Sequence, residues 1–208
     1  MKHRKLALLT ALALLLAVST QAPAYANLLV NPGFEDPITY DGPPFVGSWE
    51  GFSGGGASSG NSALQPRTGI QALGLSILGT PNTFAGAFQD VPGLTPGQVM
   101  IFSGWHMTPS NPLDLGVEIR IEWRNSVSNS EVSRTPNLTP VPAGVYTQFA
   151  FTATVPAGAD LARVVYAVQS FSTSPLGSGT VYVDDVSFDT EATPARATTW
   201  GQIKSIYH

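Results

Sequence analysis

The chain predicts an all-β fold of short strands arranged as a sandwich or barrel, and three observations carry that expectation. Glycine and proline are frequent, at 21 and 17 residues, and they punctuate the chain at short intervals. Several runs alternate apolar and polar residues with the strand period of two, and no long segment holds a 3.6-residue apolar period. Charged residues make up only 12% of the chain and cysteine is absent, so an apolar core must hold the fold without disulfides.

Residues 1–26 stand apart. A basic cluster (Lys2, His3, Arg4, Lys5) precedes an apolar run from Leu6 to Val18, and Ala24-Tyr25-Ala26 supplies a small-x-small cleavage site. This is the pattern of a secretory signal peptide cut after Ala26, and the apolar run is short for a bilayer span of about 20 residues. An exported protein is therefore expected. Cleavage removes Lys2, Arg4 and Lys5 and no acid, which takes the formal charge from −4 to −7. That balance argues against nucleic acid or an anionic membrane surface as partner.

Residues 27–189 are expected to form one domain. Residues 27–37 read as a short strand and an Asn-Pro-Gly turn that brings Phe34 and Glu35 back to the body. Residues 41–60 read as loop, with Pro43-Pro44 and Gly54-Gly55-Gly56. Strands are predicted within 69–78, at 83–91 and at 99–107, where Met100, Phe102 and Gly104 share one side and Ile101, Ser103 and Trp105 the other. Residues 117–124 alternate most cleanly. Val117, Ile119, Ile121 and Trp123 point to the core; Glu118, Arg120, Glu122 and Arg124 point out. Residues 125–143 read as a polar loop, and 149–155 and 162–168 as two further strands.

The closing run, Val181-Tyr182-Val183-Asp184-Asp185-Val186-Ser187-Phe188, breaks its own alternation: Val181 and Val183 share one parity, Val186 and Phe188 the other. Either a bulge sits at Asp184/Asp185 or both faces are covered, and each case drives a carboxylate into the sheet. A buried carboxylate needs a partner. Lys204 is the only lysine beyond residue 26, so a metal ion is a candidate. Residues 190–208 are expected to be a polar linker and a tail in which Trp200, Ile203 and Ile206 or Tyr207 recur at the spacing of a short helix, a possible docking tag for a protein partner.

Four segments, taken in order, carry a resemblance. They are Asn-Leu-Leu-Val-Asn-Pro-Gly-Phe-Glu at 27–35, Val91-Pro92-Gly93-Leu94-Thr95-Pro96-Gly97 leading to Phe102-Ser103-Gly104-Trp105, Thr154-Val155-Pro156-Ala157-Gly158-Ala159, and the closing run. Together they resemble the CenC-type carbohydrate-binding modules of the family 4/9/16/22 kind, over residues 27–188. The resemblance implies a galactose-binding-like β-sandwich jelly roll that recognises a polysaccharide on a concave sheet face without catalysis. It also implies a structural calcium held by Glu35 and by the acid pair, Asp184 ahead of Asp185, with backbone carbonyls near Asn31 and around 65–68.

Sugar recognition needs a flat apolar ring against the pyranose C–H face and planar polar groups for the hydroxyls. Trp105, Arg120, Glu122 and Gln169 are the candidates, with Trp49 and Trp123 assigned to the core. Tyr40, Phe45 and Trp49 itself would matter for sugar only if their loop folds over the groove. The competing expectation is an adhesive or structural sandwich with no sugar site. An enzyme is not expected. Glu118 and Glu122 lie four residues apart on one strand, about 13 Å, whereas a glycosidase pair needs about 5–9.5 Å. The Gly-x-Ser-x-Gly matches at 51–55 and 56–60 lack a strand-turn-helix setting. Beyond residue 26 only His106 and His208 remain as histidines, too few for a metal-hydrolase site.

Overall fold

A computed structural model describes residues 27–45, 48–78, 80–109, 115–170 and 178–190. They form ten antiparallel strands: β1 (Glu50–Gly54), β2 (Ser58–Ser62), β3 (Ala72–Ile77), β4 (Phe84–Pro92), β5 (Val99–Met107), β6 (Leu115–Arg124), β7 (Glu131–Arg134), β8 (Thr147–Thr154), β9 (Leu161–Ser170) and β10 (Gly179–Thr190). Sheet A has the order β1-β4-β9-β6-β7 and sheet B the order β2-β3-β10-β5-β8. Successive strands repeatedly change sheet, so the two layers close over a single core as in a jelly roll. Among the described residues there is no helix; the expected C-terminal helix lies outside them.

Strand periodicity explains the core. On β6, Val117, Ile119, Ile121 and Trp123 are buried, as the alternation requires. On β5 the even-numbered residues Met100, Phe102 and His106 point inward. On β4 the inward side is small, with Ala85 and Ala87, which leaves room for Tyr166 of β9 and Phe149 of β8. Trp49 and Trp123 are core residues, as expected from sequence. His106 and Tyr166 meet across the sandwich, Nδ1 to hydroxyl 2.6 Å. Burial holds the His106 pKa down at about 4.

Three sequence expectations are corrected. Residues 41–60 are not all loop: they contain β1 and the start of β2, whose Gly/Ser content carries little strand propensity and which form because β4 and β3 offer them ladders. The polar stretch 125–143 contains β7, paired to β6. Residues 27–30 are not a ladder strand. They lie along β10 instead, through Leu28 N–H donating to Phe188 O at 3.0 Å, the Asn27 amide bonding Val186 O at 2.8 Å, and the Gln89 side chain bonding both backbone groups of Val30.

The closing strand is bulged. The β10 register against β5 shifts between Asp184 and Ser187, and Asp185 sits at φ 46°. The extra residue reverses parity, so Val181, Val183, Val186 and Phe188 are all buried. Asp184 is left on the outer side of sheet B, fully buried beneath the loop that precedes β3.

Candidate functional site

The outer face of sheet A has two halves that meet along β4 and β9. On β4 the outward residues are Phe84, Gly86, Phe88 and Asp90, and on β1 Phe52 lies directly opposite Gly86 while Gly54 lies opposite Phe84. The glycines are spaces for rings. A Cβ at Gly86 would run into the Phe52 ring, and one at Gly54 would come within 2.6 Å of Phe84 Cζ. Phe52 therefore lies between Phe84 and Phe88, with centroids 6.3 Å from each, and Phe45 meets Phe88 edge-on at 5.1 Å. Phe84 keeps 41% of its surface exposed, a large apolar ring open to solvent.

The other half is polar and ion-paired. Reading across the register, Phe84 faces Gln169, Gly86 faces Ala167 and then Glu118, Phe88 faces Val165 and then Arg120, and Asp90 faces Arg163 and then Glu122. Arg120 donates to Glu122 at 2.9 Å and to Glu118 at 3.3 Å, and the Gln169 amide bonds Glu118. Arg163 grips Asp90 with two bonds of 2.7 and 2.8 Å while its guanidinium lies 4.0 Å from the centre of the Phe88 ring. The result is an aromatic strip flanked by planar hydrogen-bonding groups held in fixed orientations by their own partners.

Of the predicted sugar contacts, the structure brings Arg120, Glu122 and Gln169 together and separates Trp105 from them. Trp105 is on β5, in sheet B, so it points away from the opposite layer; β5 and β6 are consecutive in sequence and lie in different sheets. One face of its ring is covered by the Arg67 guanidinium, 3.9 Å from the centroid. Sequence reasoning missed Phe52, Phe84, Phe88, Asp90 and Arg163. The signal was present in Phe84-Ala85-Gly86-Ala87-Phe88, where bulky and small residues alternate with period two.

Comparison with solved structures places this architecture. It matches a xylan-binding domain of family 22 from Paenibacillus barcinonensis at a TM-score of 0.54 and 16% identity, covering 81% of this chain and 97% of that one. A family 16 carbohydrate-binding module matches at 0.51 and 20% identity, over 78% and 99%. What the chain shares with these modules is the jelly-roll sandwich fold. The enzymatically active domain of a tailspike protein from bacteriophage CBA120 also matches, at 0.58 and 16% identity; the aligned region is 79% of this chain and spans only 21% of the tailspike chain. No protein-family model and no curated protein sequence matches.

The second cluster of polar residues surrounds the bulge on sheet B. Asp184 Oδ2 accepts the N–H groups of Arg67 at 2.8 Å and Thr68 at 3.1 Å, and Oδ1 accepts that of Asp185 at 2.7 Å. Burial pushes the Asp184 carboxyl up from its ordinary value while the three amides pull the other way. Glu35 accepts the N–H groups of Ile70 at 3.1 Å and Gln71 at 3.3 Å, and its carboxylate fills the space a side chain on Gly69 (φ 60°) would need. A Cβ on Gly33 would lie 3.6 Å from Asp184 Oδ1 and 3.9 Å from Glu35 Cγ, so the two acids flank one glycine. Asp185 turns aside to Arg67 and to Thr68 Oγ1 at 2.6 Å.

As oxygen donors for a hard cation all three acids are already engaged, Asp185 by the side chains of Arg67 and Thr68, Asp184 by three backbone amides and Glu35 by those of Ile70 and Gln71. The nominated carbonyls are engaged as well: Asn31 O accepts Trp49 Nε1 at 3.0 Å, and Gln65 O accepts the Tyr146 hydroxyl at 2.6 Å. Among the described residues, no group of three or more His, Cys, Asp or Glu side chains is placed to hold a metal.

Proposed function

We propose that this is an exported, non-catalytic glycan-binding protein whose binding face is the outer side of sheet A. The observation that carries the reading is the Phe52/Phe84/Phe88 strip lying beside Gln169, Glu118, Arg120 and Glu122 on one sheet of a binding-module fold. A pyranose ring has an apolar C–H face that desolvates against an exposed phenyl ring, and equatorial hydroxyls that bridge to carboxylate, amide and guanidinium groups in the same plane. Xylan-type β-linked polysaccharide is the first ligand class to try, given the xylan-binding domain among the similar structures. Glu118 and Glu122 act here as partners of Arg120 rather than as an acid and a base.

Affinity electrophoresis through gels of xylan, β-glucan, mannan or pectin tests the reading. Retardation of the wild type in one gel, lost in Phe84→Ala and kept in Trp105→Ala, is the expected result; free migration of a folded wild type in all of them would remove the proposal. The adhesive alternative has its own support. Arg120 and Arg163 are both neutralised by carboxylates on the same face, so that face is satisfied without a ligand.

Calcium belongs to the proposal as a staple, held by Glu35 and Asp184 and joining the 31–35 turn, the 65–71 loop and β10. Its contribution would be to fold stability, with no part in sugar contact. Millimolar calcium should then raise Tm, and Glu35→Gln should abolish the rise. Export with cleavage after Ala26 is proposed on the sequence pattern of residues 1–26 and is checked by the N-terminal mass of the secreted protein.

A further inference from the structure

Four strands end the two sheets, and three of their outer edges are blunted. β7 is four residues long and carries Glu131 and Arg134. The outer side of β1 is bonded by Thr39, whose N–H donates to Trp49 O and whose carbonyl accepts Gly51 N–H, both at 2.8 Å. β2 is five residues of Ser, Gly and Asn, with Ser59 O taken by the Tyr40 hydroxyl.

β8 has none of these protections. Its eight residues, Thr147-Gln148-Phe149-Ala150-Phe151-Thr152-Ala153-Thr154, hold no charge and no proline, and its register with β5 is unbroken from Val99↔Thr154 to His106↔Thr147. Among the described residues no other segment hydrogen-bonds to its outer edge. Such an edge is a template for another strand. It is also incompletely covered: Phe151 and Ala153 point toward the core but remain only partly buried, whereas Phe149 is buried.

From this we infer that β8 is a self-association edge, and that its occupant is β8 of a second copy of this chain, paired antiparallel about a two-fold axis at Ala150. Residues directly opposite in an antiparallel pair share a face, so a self-pairing register must join residues of equal parity. Centring on Ala150 sets Phe149 against Phe151 of the second copy on the core side, twice by symmetry, and Gln148 against Thr152 on the outer side. Aromatic cross-strand pairs of this kind stabilise a sheet, and an uncharged strand opposes no like charges on itself. Sheet B becomes a continuous ten-stranded layer across the dimer.

The axis runs perpendicular to that layer, so the outer faces of both sheets A point to the same side. Two glycan faces presented together would bind a long polysaccharide bivalently, a consequence that rests on the function proposed above.

Sedimentation equilibrium of the whole chain up to on the order of 100 μM is the test, that range suiting a modest edge-to-edge association. The wild type should approach twice the monomer mass. Ala150→Lys and Ala150→Glu, at an exposed position that leaves the core untouched, should each remain monomeric, and an equimolar mixture of the two should recover the dimer mass. A wild type that stays monomeric throughout, or an Ala150→Lys variant that still dimerises, overturns the inference. Binding is read separately: Ala150→Lys should keep wild-type affinity for a short oligosaccharide and lose roughly tenfold or more in retention on the polymer. A dimer in which neither form holds any sugar would leave the edge pairing standing and remove the glycan reading alone.

Discussion

The outer faces of the two sheets use the same ingredients to different ends. Sheet A shows aromatic rings with a guanidinium against two of them, Phe45 and Phe88, and carboxylates beside it, and sheet B shows Trp105 under Arg67 beside Asp184 and Asp185. On sheet A the rings neighbour one another over glycines and Phe84 stays open. On sheet B Trp105 is capped and Tyr182 is buried, while Asp184 is tied to the main chain of the 65–71 loop and Asp185 to the side chains of Arg67 and Thr68. Aromatic–guanidinium chemistry therefore does not identify a ligand face by itself; what separates the two faces is whether a ring is left exposed and whether a fully buried carboxylate is held by backbone amides.

The comparison breaks most visibly at Asp184. Asp184→Ala would leave the Arg67, Thr68 and Asp185 amides unpaired in a buried site, at about 3 kcal/mol. Thermal unfolding should then fall by roughly 6–12 °C. Sugar retention by the folded fraction should not change, since sheet A is untouched; a Tm within a degree of the wild type would show the clamp to be dispensable.

Acid should act on neither face first but on the core between them. His106, with its folded pKa near 4 against an ordinary value near 6.5, binds its proton more readily in the unfolded chain. Its contribution is complete above about pH 6.5, declines as pH falls toward 4 and reaches about 3 kcal/mol in total. Urea unfolding between pH 7 and 4 should show that slope, and His106→Leu should flatten it.

On sheet A, Arg163→Ala should free Asp90 and uncover Phe88. Affinity for the retarding polysaccharide is expected to fall about tenfold, or about 1.4 kcal/mol, as titration calorimetry would show, with a smaller change in Tm. The smallest effect belongs to Arg67→Ala, which removes the cap on Trp105 for about 1 kcal/mol. It should leave glycan affinity at the wild-type value; a gain would mean that the uncovered Trp105 ring is itself a sugar platform.

Much of this was legible from the residues. The clean alternation on β6 assigned Val117, Ile119, Ile121 and Trp123 to the core and Arg120 and Glu122 to the outer side of the sheet, where Glu122 is nonetheless buried, and the parity break at Asp184/Asp185 left a bulge as one of two readings. The misses share one cause. β1, β2 and β7 have weak propensity and exist because partners recruit them, and Trp105 was grouped with Arg120 because β5 and β6 are adjacent in the chain.

Strand period is a local property: side chains alternate along any extended backbone, so the sequence alone determined which residues of β6 are in and which are out, and that a carboxylate is buried near the end. The assignment of strands to sheets is not local. It depends on pairings such as β4 with β9 and β5 with β10, made between segments far apart in the chain. Only that tertiary pairing decided that Phe52, Phe84 and Phe88 lie beside Arg120 and Gln169, that Trp105 lies on the opposite face, and that β8 is left at an edge.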